Sequence, residues 1–180
     1  MKEIIVSKNQ IHVGSLLSLE EIHVELPNGQ RAQRDLVRHP GAVALVAIDE
    51  NGMILLVEQF RIAAGPEGSI TLEIPAGTLQ GDEVPIACAE RELREETGYR
   101  AEEMQPLGGF YLAPGYSTEY IHLFSASRLV HDPLPMDADE FIRVKRLKIA
   151  EALREVRDRR ISDAKTIIGI LRAAQLSGIQ

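Results

Sequence analysis

The chain has 180 residues, a formal charge of -7, an apolar fraction of 44% and a charged fraction of 26%. That length fits one domain with an ordinary apolar core, and the acidic balance argues against a broad nucleic-acid surface, which needs clustered Lys and Arg. One cysteine, Cys88, excludes an intramolecular disulfide; with no signal-peptide pattern and no run of roughly 20 apolar residues, a soluble cytoplasmic protein without nucleic-acid or membrane partners is expected.

Residues 1–40 read as short strands broken by polar turns. Ile22, Val24 and Leu26 alternate with His23 and Glu25, and Pro27-Asn28-Gly29 then turns the chain. Residues 42–48 form a continuous apolar run, the mark of a buried strand, and Asn51-Gly52 makes a tight hairpin into residues 53–58. Residues 65–69 read as a loop. Leu72-Glu73-Ile74 is a short strand stopped by Pro75. A helix is predicted over about residues 84–97, with Pro85 in its first turn and Gly98 as its stop. Residues 107–112 and 120–125 read as strands around a loop at 113–119. Two helices follow, one over 149–159 and one capped by Ser162 with an apolar stripe of Ala164, Ile167, Ile168 and Leu171. This pattern predicts an α+β domain with a mixed sheet between helices.

The first helix carries the chemistry. Residues three and four apart share a helix face, so Glu92 stands with Glu95 and Glu96, beside an apolar stripe of Ile86, Ala89 and Leu93. Like charges at this spacing repel. Arg91 and Arg94 offset part of that, and a divalent cation would offset more. Carboxylate oxygens on a rigid helix, joined by phosphate oxygens of a substrate, suit Mg²⁺ or Mn²⁺. Cys88, one turn before Glu92, is given no catalytic role. His12, His23, His39, His122 and His131 show no metal-binding spacing and are expected to be structural or exposed.

Residues 77–99 resemble the Nudix box, Gly-x5-Glu-x7-Arg-Glu-U-x-Glu-Glu-x-Gly-U, where U is bulky and apolar. Gly77, Glu83, Arg91, Glu92, Leu93, Glu95, Glu96 and Gly98 match directly, and the aromatic Tyr99 takes the last apolar place. The resemblance implies a Nudix fold, a mixed β-sheet sandwiched between α-helices. It implies metal ligation by Glu92, Glu96 and the Ala76 carbonyl, with Glu95 nearby. It also implies that Glu83 and Arg91 hold the loop against the helix through charge-assisted hydrogen bonds.

Further segments resemble the ADP-ribose pyrophosphatase subfamily. They are Glu73-Ile74-Pro75-Ala76-Gly77, Glu58-Gln59-Phe60-Arg61, and the loop Ala113-Pro114-Gly115-Tyr116-Ser117-Thr118-Glu119, in which Ala113 replaces the commoner serine. Pro114 lies fifteen residues after Tyr99, a placement that the resemblance links to ADP-ribose. His39-Pro40-Gly41-Ala42-Val43-Ala44 and Asp137-Ala138-Asp139-Glu140-Phe141-Ile142 also look like this subfamily. The resemblance implies Mg²⁺-dependent cleavage of ADP-ribose to AMP and ribose 5-phosphate. It further implies that Arg61 pairs with phosphate, that Pro114 and Gly115 shape the substrate loop, and that Glu119 binds a ribose hydroxyl or orients water. Glu140 is the first choice for general base; Glu119, Glu95 and a purely metal-generated hydroxide stay open.

Two alternatives remain beside this reading. One is the same chemistry on another nucleoside diphosphate sugar, such as GDP-mannose. The other is a Nudix domain that senses ADP-ribose without cleaving it, against which the intact acidic box argues. Residues 1–40 are expected to serve dimerisation and the partner's substrate site, and 41–180 to form the hydrolase domain. Small isolated sheets are marginal in water and their edges invite another chain. A homodimer through these strands is therefore expected, with Arg34 or Arg38 reaching the partner's substrate.

Overall fold

β1 (Ile4–Val13), β2 (Ser18–Glu25) and β3 (Arg31–Arg38) pair antiparallel in that order. The computed structural model that shows this describes residues 1–136, 138 and 140–178. The chain divides into two compact units, Met1–Gly41 with Tyr111–Tyr120, and Ala42–Phe110 with Ile121–Gln180. In the first unit the strands run eight to ten residues, longer than the short pieces expected. Polar residues do not break them, because the polar positions face solvent while Ile22 and Val24 alone are buried at 4% and 3% exposure. Every residue of β1 is exposed. The 111–120 segment is tied to β3 by Val37, whose N–H donates to the Tyr116 carbonyl and whose carbonyl accepts from Thr118.

The second unit is built around β4 (Ala42–Ala47), all of whose residues are buried. Its alternate side chains serve two cores: Ala42, Ala44 and Val46 enter one, Val43, Leu45 and Ala47 the other. An uninterrupted apolar run is what a strand covered on both faces requires. Beside it lie β7 (Ala76–Thr78), antiparallel, and β9 (Tyr120–His131), parallel; β8 (Tyr99–Tyr111) completes this mixed sheet at its far edge. A second sheet places β5 (Met53–Arg61) between β10 (Arg143–Lys148) and β6 (Ser69–Glu73), all antiparallel.

Helix α1 (Pro85–Thr97) gives Cys88, Ala89 and Leu93 to one core. Helices α2 (Ile149–Arg157) and α3 (Ala164–Leu176) give Ile149, Ala152, Ile170 and Ala173 to the other. The strands thus lie between helices, the α+β arrangement the sequence predicts. Among the described residues no helix is long and apolar enough to cross a membrane.

Several local expectations are corrected. β8 begins at Tyr99 rather than near residue 107; it is a largely exposed edge strand, which tolerates Pro106 and hides its alternation. β9 runs to His131, and β10 and β7 are strands the sequence did not signal. β10 is Arg-Val-Lys-Arg-Leu-Lys, held by pairing to β5 and by a 2.6 Å ion pair from Lys145 to Glu58. Helix α2 ends at Arg157, and Arg159 takes a left-handed φ of 61°. Helix α3 is capped by Asp163, not Ser162: its carboxylate accepts from the Thr166 N–H at 2.9 Å and from the Thr166 hydroxyl at 2.6 Å. A carboxylate one residue later reaches the first-turn donors that the serine does not.

Candidate active site

Helix α1 starts with Pro85 in its first turn, and ends where Gly98 adopts φ 78° and its N–H reaches the Arg94 carbonyl. Its buried face is Cys88, Ala89, Glu92, Leu93, Glu96 and Thr97. The expected stripe is corrected in one respect: Ile86 is 43% exposed. Glu92 and Glu96 occupy the buried face itself rather than its flank, at 7% and 4% exposure. They are thus ionisable groups one turn apart in an apolar setting.

Their electrostatics follow from that placement. Burial pushes the Glu92 carboxyl up to about 7; Arg91 opposes this, while the charges of Glu95 and Glu140 add to it. Burial likewise pushes Glu96 up to about 8, against a hydrogen bond from the Ala76 N–H, with Glu92 and Glu140 again adding. That bond is 2.9 Å long and fixes the Ala76 backbone beside the helix. Gly77 lets the loop approach so closely that a Cβ there would fall 1.8 Å from the Glu92 carboxyl carbon.

Arg91 organises the loop. Its Nε and Nη2 each donate to Glu83 at 3.0 Å, while Nη1 donates to Glu92 at 2.7 Å and to Glu95 at 2.8 Å. The Arg91 bonds hold the Glu83 carboxyl below its ordinary range. One guanidinium therefore serves three carboxylates, which leaves the site short of positive charge. Cys88, buried beside them, has its thiol pushed up to about 12, chiefly by burial, which disfavours the thiolate.

A divalent cation fits this donor set. Among the described residues no three His, Cys, Asp or Glu side chains gather as a complete metal cage. Two buried carboxylates one turn apart instead offer a partial shell of hard oxygens. A hard divalent cation that keeps waters and shares substrate phosphate oxygens accepts such a shell.

Arg61, at the end of β5, donates from Nε and Nη2 to both oxygens of Glu73, each at 2.9 Å. Burial would raise the Glu73 carboxyl, but Arg61, Lys165 and the Thr71 hydroxyl outweigh it and bring it down to about 2. The pairing raises Arg61 in turn, with Glu96 contributing at longer range. Sequence reasoning read Glu73 only as part of a strand motif and missed Lys165. Glu140 lines a cleft of about 470 Å³ with Gln59, Phe60, Ile70, Met136 and Phe141. The Gln59 side-chain oxygen there is buried and accepts no hydrogen bond among the described residues. Asp137 and Asp139 of the acidic segment lie outside the described residues.

The other sequence candidates belong to the first unit. Pro114 and Gly115 form a turn closed by the Tyr116 and Ser117 N–H groups on the Ala113 carbonyl, at 3.0 and 2.8 Å. Glu119 stands 3.9 Å from His39 Nε2. His39 Nδ1 accepts from the Gly41 N–H at 3.0 Å, so Nε2 carries the hydrogen that faces Glu119. Arg34 is paired with Glu3 at 2.7 Å and Arg38 with Glu20 at 2.8 Å, both within the N-terminal sheet.

A profile of the Nudix domain matches residues 37–167, which include the whole of this loop-helix-loop. The chain belongs to the Nudix hydrolase family. An ADP-ribose pyrophosphatase of Bacillus subtilis (strain 168) is 40% identical over 172 residues, covering 94% of this chain and 91% of the relative. A methanol dehydrogenase activator of Bacillus methanolicus is 42% identical over 167 residues, covering 92% and 89%. A GDP-mannose pyrophosphatase of Yersinia enterocolitica is 39% identical over 149 residues, covering 79% and 76%. A solved structure described as an ADP compounds hydrolase superposes with a TM-score of 0.85 over 98% of this Nudix chain and 94% of its own, at 21% identity. That likeness concerns the fold, including the small N-terminal sheet.

Proposed function

We propose that this Nudix hydrolase splits the diphosphate bond of ADP-ribose, giving AMP and ribose 5-phosphate, with Mg²⁺ or Mn²⁺ held by Glu92, Glu96 and the Ala76 carbonyl. The observation that carries the chemistry is the pair of buried, under-neutralised carboxylates on α1 facing the Gly77 loop. A bound divalent cation supplies Lewis acidity at the diphosphate. The protein's own groups do the rest. Arg91 keeps Glu92 and Glu95 in place and ties the helix to Glu83. Arg61 offers a planar fork to a phosphate. Glu140 takes a proton from the attacking water, a role supported by the bearing of its charge on both Glu92 and Glu96. Glu119, Pro114 and Gly115 are assigned to the ribose side by the resemblance of residues 113–119 to the subfamily's loop.

The choice of ADP-ribose rests on the Pro114 loop and on relatives named for that substrate that match nearly the whole chain. The second reading, GDP-mannose, is favoured by a relative of 39% identity named for it. Incubation with Mg²⁺ and a panel of nucleoside diphosphate sugars and dinucleotides, with products separated by chromatography, decides between them: ADP-ribose is expected to show the highest kcat/KM. A higher value for GDP-mannose moves the protein to the second reading, and binding without turnover of any substrate marks a sensor.

The enzyme is further proposed to act in the cytoplasm as a homodimer through residues 1–40, with Arg34 or Arg38 directed to the partner's substrate. Support comes from β1, an edge strand that exposes Ile4, Ile5, Val6, Ile11 and Val13. Light scattering over a concentration series tests it; a fully active monomer of about 20 kDa refutes it.

A further inference from the structure

The first turn of α3 carries charged and hydroxyl groups that the Nudix box does not account for. The Lys165 side chain is only 11% exposed, and its ammonium is ion-paired with Glu73 and, at 3.1 Å, with Asp163. Glu73 is 3% exposed. Besides Lys165 it takes two bonds from Arg61 and one of 2.5 Å from the Thr71 hydroxyl. One buried carboxylate thus has two cationic partners, of which Lys165 is shared with Asp163. The two partners differ in access: Arg61 is 42% exposed at its side chain and electrostatically coupled to Glu96, whereas Lys165 is enclosed.

The turn that carries Lys165 is fixed to the strand that carries Glu73. The Ile74 N–H donates to the Thr166 hydroxyl at 2.9 Å, and that hydroxyl in turn donates to Asp163. Lys165 is therefore held against Glu73 by α3 itself and does not depend on Arg61.

We propose that Lys165 is a positioning residue: together with Thr71 it keeps Glu73 paired when Arg61 turns from Glu73 to the diphosphate of the substrate. The proposal rests on the reading that Arg61 binds the diphosphate. Stranding a buried carboxylate without a counter-charge is strongly unfavourable. Without Lys165, Arg61 is the only cation on Glu73, and binding substrate must break that pair. The penalty falls on substrate and transition state alike, so it appears in KM and not in kcat.

Steady-state kinetics on the best substrate of the panel, with thermal unfolding as a check on the fold, test this. In Lys165→Met the KM is expected to rise on the order of tenfold while kcat stays within about twofold. Lys165→Arg restores KM. The double variant Lys165→Met with Glu73→Gln removes the charge that would lock Arg61, and its KM returns to that of Glu73→Gln alone. Loss of mere structural support would instead worsen in the double variant. If Lys165→Met does not fold, Lys165→Gln carries the same comparison. Arg61→Gln separates the two levels: an unchanged KM there overturns the reading of Arg61 and this proposal with it. A raised KM in Arg61→Gln beside a wild-type KM in folded Lys165→Met overturns the role of Lys165 alone. A fall in kcat at constant KM in Lys165→Met overturns it as well.

Discussion

Replacing Gly77 by alanine tests how the Nudix loop serves Glu92. Gly77 lies outside the left-handed backbone region, so the backbone accepts alanine and the effect is purely one of space. The new Cβ would meet the Glu92 carboxyl carbon at 1.8 Å and its oxygens at 1.9 and 2.3 Å, where ordinary contact begins at 3.4 Å. The carboxylate must therefore retreat by roughly 1.6 Å, the shortfall of its carbon from an ordinary contact. Metal ligation tolerates about 0.2 Å of error, and a misplacement of about 1 Å at a reacting centre costs on the order of 100-fold. Expected for Gly77→Ala is a kcat lowered about 100-fold and weaker Mg²⁺ binding by calorimetry. The unfolding temperature is expected to change little, because the displaced group is one side chain and the cores on either face of β4 are untouched. A kcat within about fivefold of wild type would falsify the claim that this glycine exists to seat Glu92.

Glu92→Gln and Glu96→Gln, measured at saturating Mg²⁺, are each expected to lose a factor on the order of 100 in kcat with the fold retained; near-normal turnover in either rules that residue out as a ligand. Without metal, Glu92 and Glu96 hold protons up to about 7 and about 8, whereas in the unfolded chain they ionise near 4.5. The folded state thus binds more protons across that window, and these two groups make the metal-free protein less stable as pH rises from about 5 to 8. The gain in Tm on adding Mg²⁺ should accordingly be larger at pH 8 than at pH 6, and an equal gain at both contradicts the assignment. Glu140→Gln is expected to lower kcat more than it raises KM; a neutral result there, with turnover abolished by Glu119→Gln, transfers the general-base role to Glu119.

The parts of this protein that were legible in the sequence are those where one interaction dominates. The both-faces-buried β4 shows as an uninterrupted apolar run, and α1 shows through Pro85, Gly98 and the box between them. Where pairing to a neighbour supplies the stability, the sequence is nearly silent. β10 is a run of Arg and Lys broken by Val144 and Leu147, and nothing in its own composition announces that Glu58 on β5 balances its charge. β8 is similarly obscured, since its exposed residues carry no alternation. The cap of α3 failed for a subtler reason: Ser162 and Asp163 are both good caps, and only the direction of each side chain distinguishes them.

The site divides in the same way. Spacing alone put Glu92, Glu95 and Glu96 on one helix face, but it did not reveal that two of them are buried. That difference matters chemically: an exposed glutamate cluster is solvated by water and screened by salt, whereas two buried carboxylates, of which only Glu92 is bonded to Arg91, favour a bound cation. Arg61 shows the converse. Its motif identified a cation suited to phosphate, yet the residue that holds it, Glu73, and the second cation on Glu73, Lys165, lie 12 and 104 positions away along the chain. A linear motif records the groups that meet the substrate. The charges that must balance those groups are chosen by the packing of α3 against β6, and no local pattern in the chain encodes that packing.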